Sequence, residues 1–153
     1  MNNAAHILVM QNRRFPTTGS LSRAPKFKVV VAFDDNMASA SAMKTCEYVI
    51  SQLGDEIQVR RKVVDFNHPT DARKLAAAAK DAASADMVIV STGESARLPS
   101  TMQAWMDSWS GKRSADEGAL VAILKPSGEV RDQLASVARQ AHMDFFSSEM
   151  AGA

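Results

Sequence analysis

The chain has 153 residues, of which 46% are hydrophobic and 23% are charged, and its 18 basic residues nearly balance its 17 acidic ones. This composition is typical of a globular domain, and it excludes a collagen-like chain, a disordered chain and a disulfide-rich scaffold. No apolar run reaches the roughly 18 residues that a membrane span requires, so we expect no membrane association. The single cysteine, Cys46, excludes an internal disulfide and a cysteine-based zinc cluster, and it suits the reducing cytoplasm.

Charge is distributed unevenly along the chain. Residues 1–33 carry five basic residues and no acidic one, whereas the remainder carries 13 basic and 17 acidic residues. Within residues 1–26, a short apolar run from His6 to Met10 precedes Arg13 and Arg14, an order and a length that do not fit a secretory signal. We interpret residues 1–26 as a basic arm that is either a disordered leader or a strand or plug for a groove. Its sparse charges lack interleaved aromatic residues, so we expect no nucleic-acid binding.

Five apolar runs in the rest of the chain predict strands. Runs that are apolar throughout are typical of strands buried on both faces. The second run is interrupted by Arg60, Arg61 and Lys62, as is typical of an edge strand. In chain order, strands are predicted at 28–33, 57–66, 86–91, 119–124 and 143–146.

Apolar residues at helical spacing fill the segments between these strands. The first helix has N-cap candidates in Asp34, Asp35 and Asn36, and it is predicted to end at Gly54. The other helix starts are predicted at Pro69-Thr70, at Pro99-Ser100 and at Ser127. On the third helix Met102, Trp105, Met106 and Trp109 form a stripe that we interpret as core.

Four strand–helix units and a final strand predict a parallel sheet with right-handed crossovers. The expected fold is a three-layer, flavodoxin-like doubly wound α/β sheet over residues 27–150, in the strand order 2-1-3-4-5. Only seven residues follow Phe146, too few for a C-terminal helix, so one sheet face is left with a single helix. Such a face would expose on the order of several hundred Å² of apolar surface. We therefore expect the arm or a second copy to cover it, and the protein to form a homo-oligomer.

The candidate site lies where the carboxyl ends of the central strands meet, because ligands of open α/β sheets bind there. This edge is acidic and rich in hydroxyl groups, which suits a cation or a polar neutral ligand. Two neighbouring acids alone bind a divalent metal weakly, and capping of the first helix is the alternative role for Asp34 and Asp35. The candidate ligand-binding residues are Asp34, Asp35, Asn36, Ser91, Thr92, Gly93, Glu94 and Lys125.

Residues 85–140 resemble the middle of flavodoxin-like NADPH-dependent FMN reductases. The resemblance rests on the strand 85–92, on Leu98-Pro99, on Trp105-Met-Asp107 and on the strand 119–123. It implies an oxidoreductase that cradles the FMN phosphate after strand 1. In this chain two carboxylates would face that phosphate, and the loop 93–98 offers no aromatic ring to stack on the flavin. We therefore predict no cofactor, with FMN as the alternative.

Phe33-Asp34-Asp35-Asn36 and Lys125-Pro126 resemble pieces of response-regulator receiver domains. That resemblance implies Mg²⁺ bound by the acids and a phosphoaccepting aspartate at the end of strand 3. The corresponding position holds Ser91 or Thr92, and Lys125-Pro126 follows the fourth strand instead of the fifth. A degenerate, Mg²⁺-binding receiver is therefore a further alternative, without phosphotransfer.

The whole layout resembles small bacterial flavodoxin-like proteins of unassigned activity, which share an Asp-Asp turn, a Leu-Pro helix start and a Met-Asp-Phe-Phe end. The chain has no phosphate-loop motif and no nucleophile elbow. Cys46 lies on an apolar helical stripe, and His6, His68 and His142 are too widely spaced to predict a joint metal site. We therefore expect a non-catalytic ligand-binding or regulatory module.

Overall fold

The computed structural model describes residues 26–68, 71–93, 98–113, 117–124 and 128–149. Within these ranges strands and helices alternate along the chain. The elements are β1 (Lys26–Phe33), α1 (Asn36–Leu53), β2 (Gln58–Asp65), α2 (Ala72–Ala83), β3 (Met87–Ser91), α3 (Ser100–Ser110), β4 (Ala119–Leu124), α4 (Gly128–Ala141) and β5 (Asp144–Glu149).

The five strands form one parallel sheet in the order β2-β1-β3-β4-β5, so the predicted fold class and strand order are confirmed. β3 and β4 are buried along their whole length, as their continuous apolar runs predict. β2 lies at the edge of the sheet, and most of its side chains are exposed. β5 ends at Glu149, the last described residue, and within the described part of the chain no helix follows it.

Helices cover the two faces of the sheet unequally. α2, α3 and α4 pack on one face, and their core includes Ala78, Trp109 and Leu134. α1 packs on the other face, mainly over β1 and β3. The three-to-one division follows from the strand order, because crossovers to either side of β1 are right-handed.

Among the described residues, the central strands of the α1 face carry no exposed apolar side chain. The side chains of β1, β3 and β4 that face α1 are all buried, including Val121 and Ile123 of β4, which are 3% and 2% exposed. Partly exposed apolar side chains on this face occur at its margins, at Val59 of β2 and Phe146 of β5. The central strands of the α1 face are therefore covered.

Helix ends follow the predicted caps in part. Asp35 is the N-cap of α1, and Gly54 ends that helix with a φ of 88°, a conformation that glycine adopts without strain. α2 begins after Asp71, whose Oδ1 accepts a hydrogen bond from the Lys74 N–H at 2.8 Å. The predicted starts at Pro69-Thr70 and Ser127 lie outside the described residues, whereas α3 begins directly after Pro99.

The largest boundary difference is in β5, which runs three residues beyond the predicted Phe146. Lys26, which the sequence placed in the arm, is the first residue of β1 and pairs with Gln58. Residues 1–25 lie outside the described ranges, and so do the predictions about the rest of the arm. None of the described helices combines the length and apolar character needed to cross a membrane.

Candidate functional site

The carboxyl ends of β1 and β3 are tied together by the two acids that follow β1. Asp34 Oδ1 accepts a hydrogen bond from the Gly93 N–H at 2.8 Å. Asp35 Oδ1 accepts one from the Ala38 N–H at 2.7 Å, which is the N-cap bond of α1. Both lengths are those of charge-assisted hydrogen bonds. We refer to Asp34, Asp35 and Gly93 as the junction.

Gly93 is required at the junction for space. A Cβ built on Gly93 would lie 1.6 Å from Asp35 Oδ2, so the carboxylate of Asp35 rests directly against the glycine backbone. Among the described glycines the positive φ belongs to Gly54, so conformational freedom is not the reason at Gly93. The alternative that the sequence left open, capping, is therefore the observed role of Asp35, whereas Asp34 holds the β3–α3 loop.

The predicted hydroxyl groups lie inside the sheet and not at an open mouth. Ser91 and Thr92 are 0% and 1% exposed. Ser91 is the last residue of β3, in register with Phe33 and Ile123 of the flanking strands, and its Oγ has no hydrogen-bond partner among the described residues. The Thr92 N–H donates to the Ile123 carbonyl at 3.1 Å. These contacts make Ser91 and Thr92 part of the sheet's end.

The remaining candidates divide between exposed and undescribed positions. Asn36 is exposed at the start of α1, where its Oδ1 accepts a hydrogen bond from Asn67 Nδ2 at 3.5 Å. Glu94 and Lys125 lie outside the described residues. The structure thus brings Asp34, Asp35 and Gly93 together, and it places Asn36 beside the end of β2.

Metal binding was considered for the acids of the junction and for the histidines. Across the described ranges, no group of three His, Cys, Asp or Glu side chains is close enough to hold a metal ion. His68 lies after β2, with its Nδ1 2.8 Å from Asp65 Oδ2. His142 lies beyond α4 with a φ of 59°, at the turn into β5, and His6 is outside the described part of the chain. His68 and His142 therefore occupy separate element ends.

A second region of the same edge is open. Between the end of β2 and the start of α2 lies a cavity of about 640 Å³, which we call the β2–α2 cleft. Cavities of this size are typical of small-molecule sites. The described residues that line it are Lys62, Val63, Val64, Asp65, His68, Asp71, Lys74 and Ala78.

The charges of the β2–α2 cleft are partnered unequally. Asp65 accepts a hydrogen bond from the Asn67 N–H at 2.8 Å through Oδ1 and contacts His68 through Oδ2. Asp71 accepts the Lys74 N–H as the cap of α2. Lys62 and Lys74 are exposed, and their ammonium groups form no ion pair with any carboxylate in the described ranges. The cleft therefore holds two cations without an acidic partner.

Sequence reasoning missed this cleft. It interpreted Lys62 as one of the charges of an edge strand, and it singled out neither Asp71 nor Lys74. The available signal was Asp71 three residues before Lys74, because an Asp followed by the first helical turn is an N-cap pattern. That pattern places α2 after the end of β2, but the opening between the two elements depends on how they pack.

The single cysteine, Cys46, lies on α1, near Arg61 on the face of β2 opposite the cleft. Cys46 of α1 is buried, and burial raises the pKa of its thiol even though the Arg61 guanidinium, hydrogen-bonded to the sulfur, lowers it. Arg61 Nη1 also lies 2.6 Å from Glu47 Oε2. The predicted core position of Cys46 is confirmed.

The aromatic stripe of α3 is core, as predicted. Trp105 and Trp109 are 3% and 1% exposed, and their ring centroids are 5.6 Å apart in an edge-to-face arrangement. Phe66, which follows β2, packs against Trp105 at the same centroid distance. These rings join the end of β2 to the three-helix face and present no exposed platform for a planar cofactor.

Comparison of the chain with protein-family models, with curated proteins and with solved structures finds no match.

Proposed function

We propose that this protein is a non-catalytic ligand-binding module whose ligand enters the β2–α2 cleft. One observation carries the proposal: a cavity of about 640 Å³ with charged walls opens at the carboxyl edge of a doubly wound parallel sheet. Ligands of open α/β sheets bind outside the carboxyl ends of the strands. The cleft lies at the edge strand, displaced from the β1/β3 position that the sequence favoured.

The roles of the neighbouring carboxylates support binding over proton transfer. Asp34, Asp35 and Asp71 each accept a hydrogen bond from a main-chain N–H group. Such bonds fix loops and helix starts, which makes the edge a rigid frame for a ligand. A general base instead needs its oxygen directed at a substrate proton.

The experiment is a titration of ¹⁵N-labelled protein with a panel of cationic, neutral and anionic small molecules, followed by amide chemical shifts. We expect at least one class to shift the amides of residues 62–68 and 71–78 and to leave those of β4 unchanged. Shifts confined to Gly93 and the start of α1 would move the site to the junction. No saturable shift with any class would contradict the proposal.

The visible absorption spectrum of the purified protein distinguishes the binding module from the alternative, a flavin-dependent oxidoreductase. The proposal requires that the purified protein lacks the absorption of a bound flavin in the visible range. The absence of a flavin is supported by Asp35, whose carboxylate caps the start of α1. In the reductases that residues 85–140 resemble, the FMN phosphate would lie at this position. A yellow protein with one flavin per chain would replace the binding module with an oxidoreductase.

A titration with Mg²⁺, followed by amide chemical shifts, tests the alternative of a Mg²⁺-binding receiver. Mg²⁺ at Asp34 and Asp35 would have to displace the bonds from Gly93 and Ala38, and two carboxylates provide only part of the octahedral set of oxygen ligands that Mg²⁺ takes. We expect Mg²⁺ to leave the amide shifts of Gly93 and Ala38 unchanged at millimolar concentration. A saturable shift of both amides would support the degenerate receiver.

We further propose that residues 1–25, from the same chain or from a second copy, complete the α1 face. The proposal is supported by the burial of Val121 and Ile123 of β4. Since α1 packs mainly over β1 and β3, a further segment is needed to cover these two side chains. Residues 1–25 span up to about 80 Å when extended, so they reach β4 and β5 easily from the start of β1.

Removal of residues 1–25 tests this second proposal by light scattering coupled to gel filtration and by thermal melts. We expect a change in oligomeric state or a lower melting temperature, because apolar side chains of β4 become exposed. A dimeric full-length protein would indicate that the cover comes from a second copy, and a monomeric one that it comes from the same chain. Identical size and melting temperature after removal would contradict the proposal.

A further inference from the structure

The two lysines of the β2–α2 cleft approach it from different elements. Lys62 belongs to β2 and Lys74 to the first turn of α2, and both line the cavity. Like charges that share a cleft repel each other, and an anion between them removes that repulsion. Within the described residues, neither ammonium group has a carboxylate at ion-pair distance.

The two acids in the wall are not ion-paired with these lysines. Asp65 is engaged by the Asn67 N–H and by His68, and Asp71 accepts from the N–H of Lys74 and not from its ammonium group. The start of α2 adds a partial positive charge from its main-chain N–H groups, of which Asp71 satisfies one. Both the side chains and the helix thus favour a negatively charged ligand.

We propose that the β2–α2 cleft binds a phosphorylated small molecule, with its phosphate between Lys62 and Lys74. The proposal rests on the proposed function, since it names the ligand class of the same cavity. A phosphate dianion matches two ammonium point charges, whereas the planar pairing that favours carboxylates requires a guanidinium fork, and no arginine is among the described lining residues. The organic part of the ligand lies towards Val64 and Ala78, the apolar residues of the lining that share the α2 side of β2 with Lys62.

Isothermal titration with phenyl phosphate, inorganic phosphate and benzoate tests the proposal, with ionic strength held constant by chloride. We expect phenyl phosphate to bind most tightly, inorganic phosphate more weakly because it has no apolar part to contact the cleft, and benzoate most weakly. The double variant Lys62→Gln/Lys74→Gln should lose at least about tenfold in affinity for phenyl phosphate, because charge-assisted contacts are lost. Both lysines are exposed, so the variant is expected to fold.

Lys80→Gln is the matched control. Lys80 is exposed on the same helix but lies in its last turn, away from the cleft, so its replacement removes one charge without touching the site. We expect unchanged affinity. Equal losses in Lys80→Gln and in the double variant, or no loss in either, would overturn the phosphate assignment. If benzoate or a neutral compound shifts the amides of the cleft while both phosphates fail, the binding module stands and the phosphate class is wrong. If nothing shifts them, both proposals fail.

Discussion

At the end of β1, two carboxylates accept hydrogen bonds from main-chain N–H groups, whereas in the β2–α2 cleft two ammonium groups have no acidic partner in the described residues. Both regions lie at the same edge of the sheet. The junction, made by Asp34, Asp35 and Gly93, uses charge to hold two loops together. The β2–α2 cleft leaves its charge available to a ligand. The comparison teaches that a charged residue marks a binding site only when its partners within the fold do not already satisfy it.

The largest expected effect is that of Gly93→Ala at the junction. The added Cβ meets the Asp35 carboxylate, which must rotate away and release the Ala38 N–H. Loss of an N-cap costs about 1 kcal/mol and overpacking typically about 1–3 kcal/mol, so we expect a loss of about 2–4 kcal/mol in the free energy of unfolding. Urea denaturation measures it.

Gly111→Ala is the control for this substitution. Gly111 follows α3, and a Cβ there meets the end of a flexible side chain, Gln140 Nε2, at 3.3 Å. We expect a change within about 0.5 kcal/mol. In an Asp35→Ala background the clash at Gly93 is absent, so Gly93→Ala should cost much less than in the native chain. Additive effects of the two substitutions would contradict the contact described for the junction.

Removal of the N-caps of α1 and α2 should have a smaller effect on stability. The two substitutions also distinguish the junction from the β2–α2 cleft. Asp35→Ala and Asp71→Ala each remove one N-cap hydrogen bond, so each should cost about 0.5–2 kcal/mol by urea denaturation. Asp71→Ala also removes a negative charge from the β2–α2 cleft and should therefore tighten phenyl phosphate binding, whereas Asp35→Ala should leave it unchanged. The same change in affinity for both variants would mean that the junction and the cleft are not independent.

The sheet, its strand order and the position of α3 in the core could be predicted, because apolar runs and helical spacing are local signals. Asp35 as a cap is equally local. The bond from Gly93 to Asp34 joins residues 59 positions apart, and no pattern in the sequence pairs them. Lys62 and Lys74 meet at one cavity because β2 and α2 leave a gap when they pack, and no local pattern in the sequence predicts that gap. Residue type therefore predicted the acids at the edge, but neither their partners nor the position of the opening.

Neighbouring residues of β2 extend the comparison to its two faces. Arg61 is hydrogen-bonded to Glu47 and to the buried Cys46 on the α1 side, whereas Lys62 lines the cleft on the other. Burial raises the pKa of Cys46, so the folded protein retains the thiol proton at a pH where the unfolded chain, with an ordinary pKa of about 8.5, has lost it. The contribution of Cys46 to the free energy of unfolding should therefore be constant below about pH 8 and decrease as the pH rises above about 8.5.

Urea titrations under reducing conditions at several pH values between 7 and 10 measure this dependence. Cys46→Ala lowers stability at every pH because it leaves a small cavity, but it should abolish the part of the alkaline fall that belongs to the thiol. An alkaline fall of the same size in this variant would show that the thiol is not its cause. Arg61→Met removes the hydrogen bond that favours the thiolate, so it should raise the pKa of Cys46 further.

The smallest expected effect on stability is that of Lys62→Gln/Lys74→Gln. Neither ammonium group forms an ion pair in the described residues, so their removal leaves no buried partner and relieves mutual repulsion. We expect a change within about 0.5 kcal/mol of the native value, in either direction, by urea denaturation. The same variant should lose most of its affinity for phenyl phosphate with little change in the free energy of unfolding. Gly93→Ala should instead lower the free energy of unfolding. A large destabilisation by the double glutamine variant would mean that these lysines serve the fold as the junction acids do, and the cleft would lose its distinction from the junction.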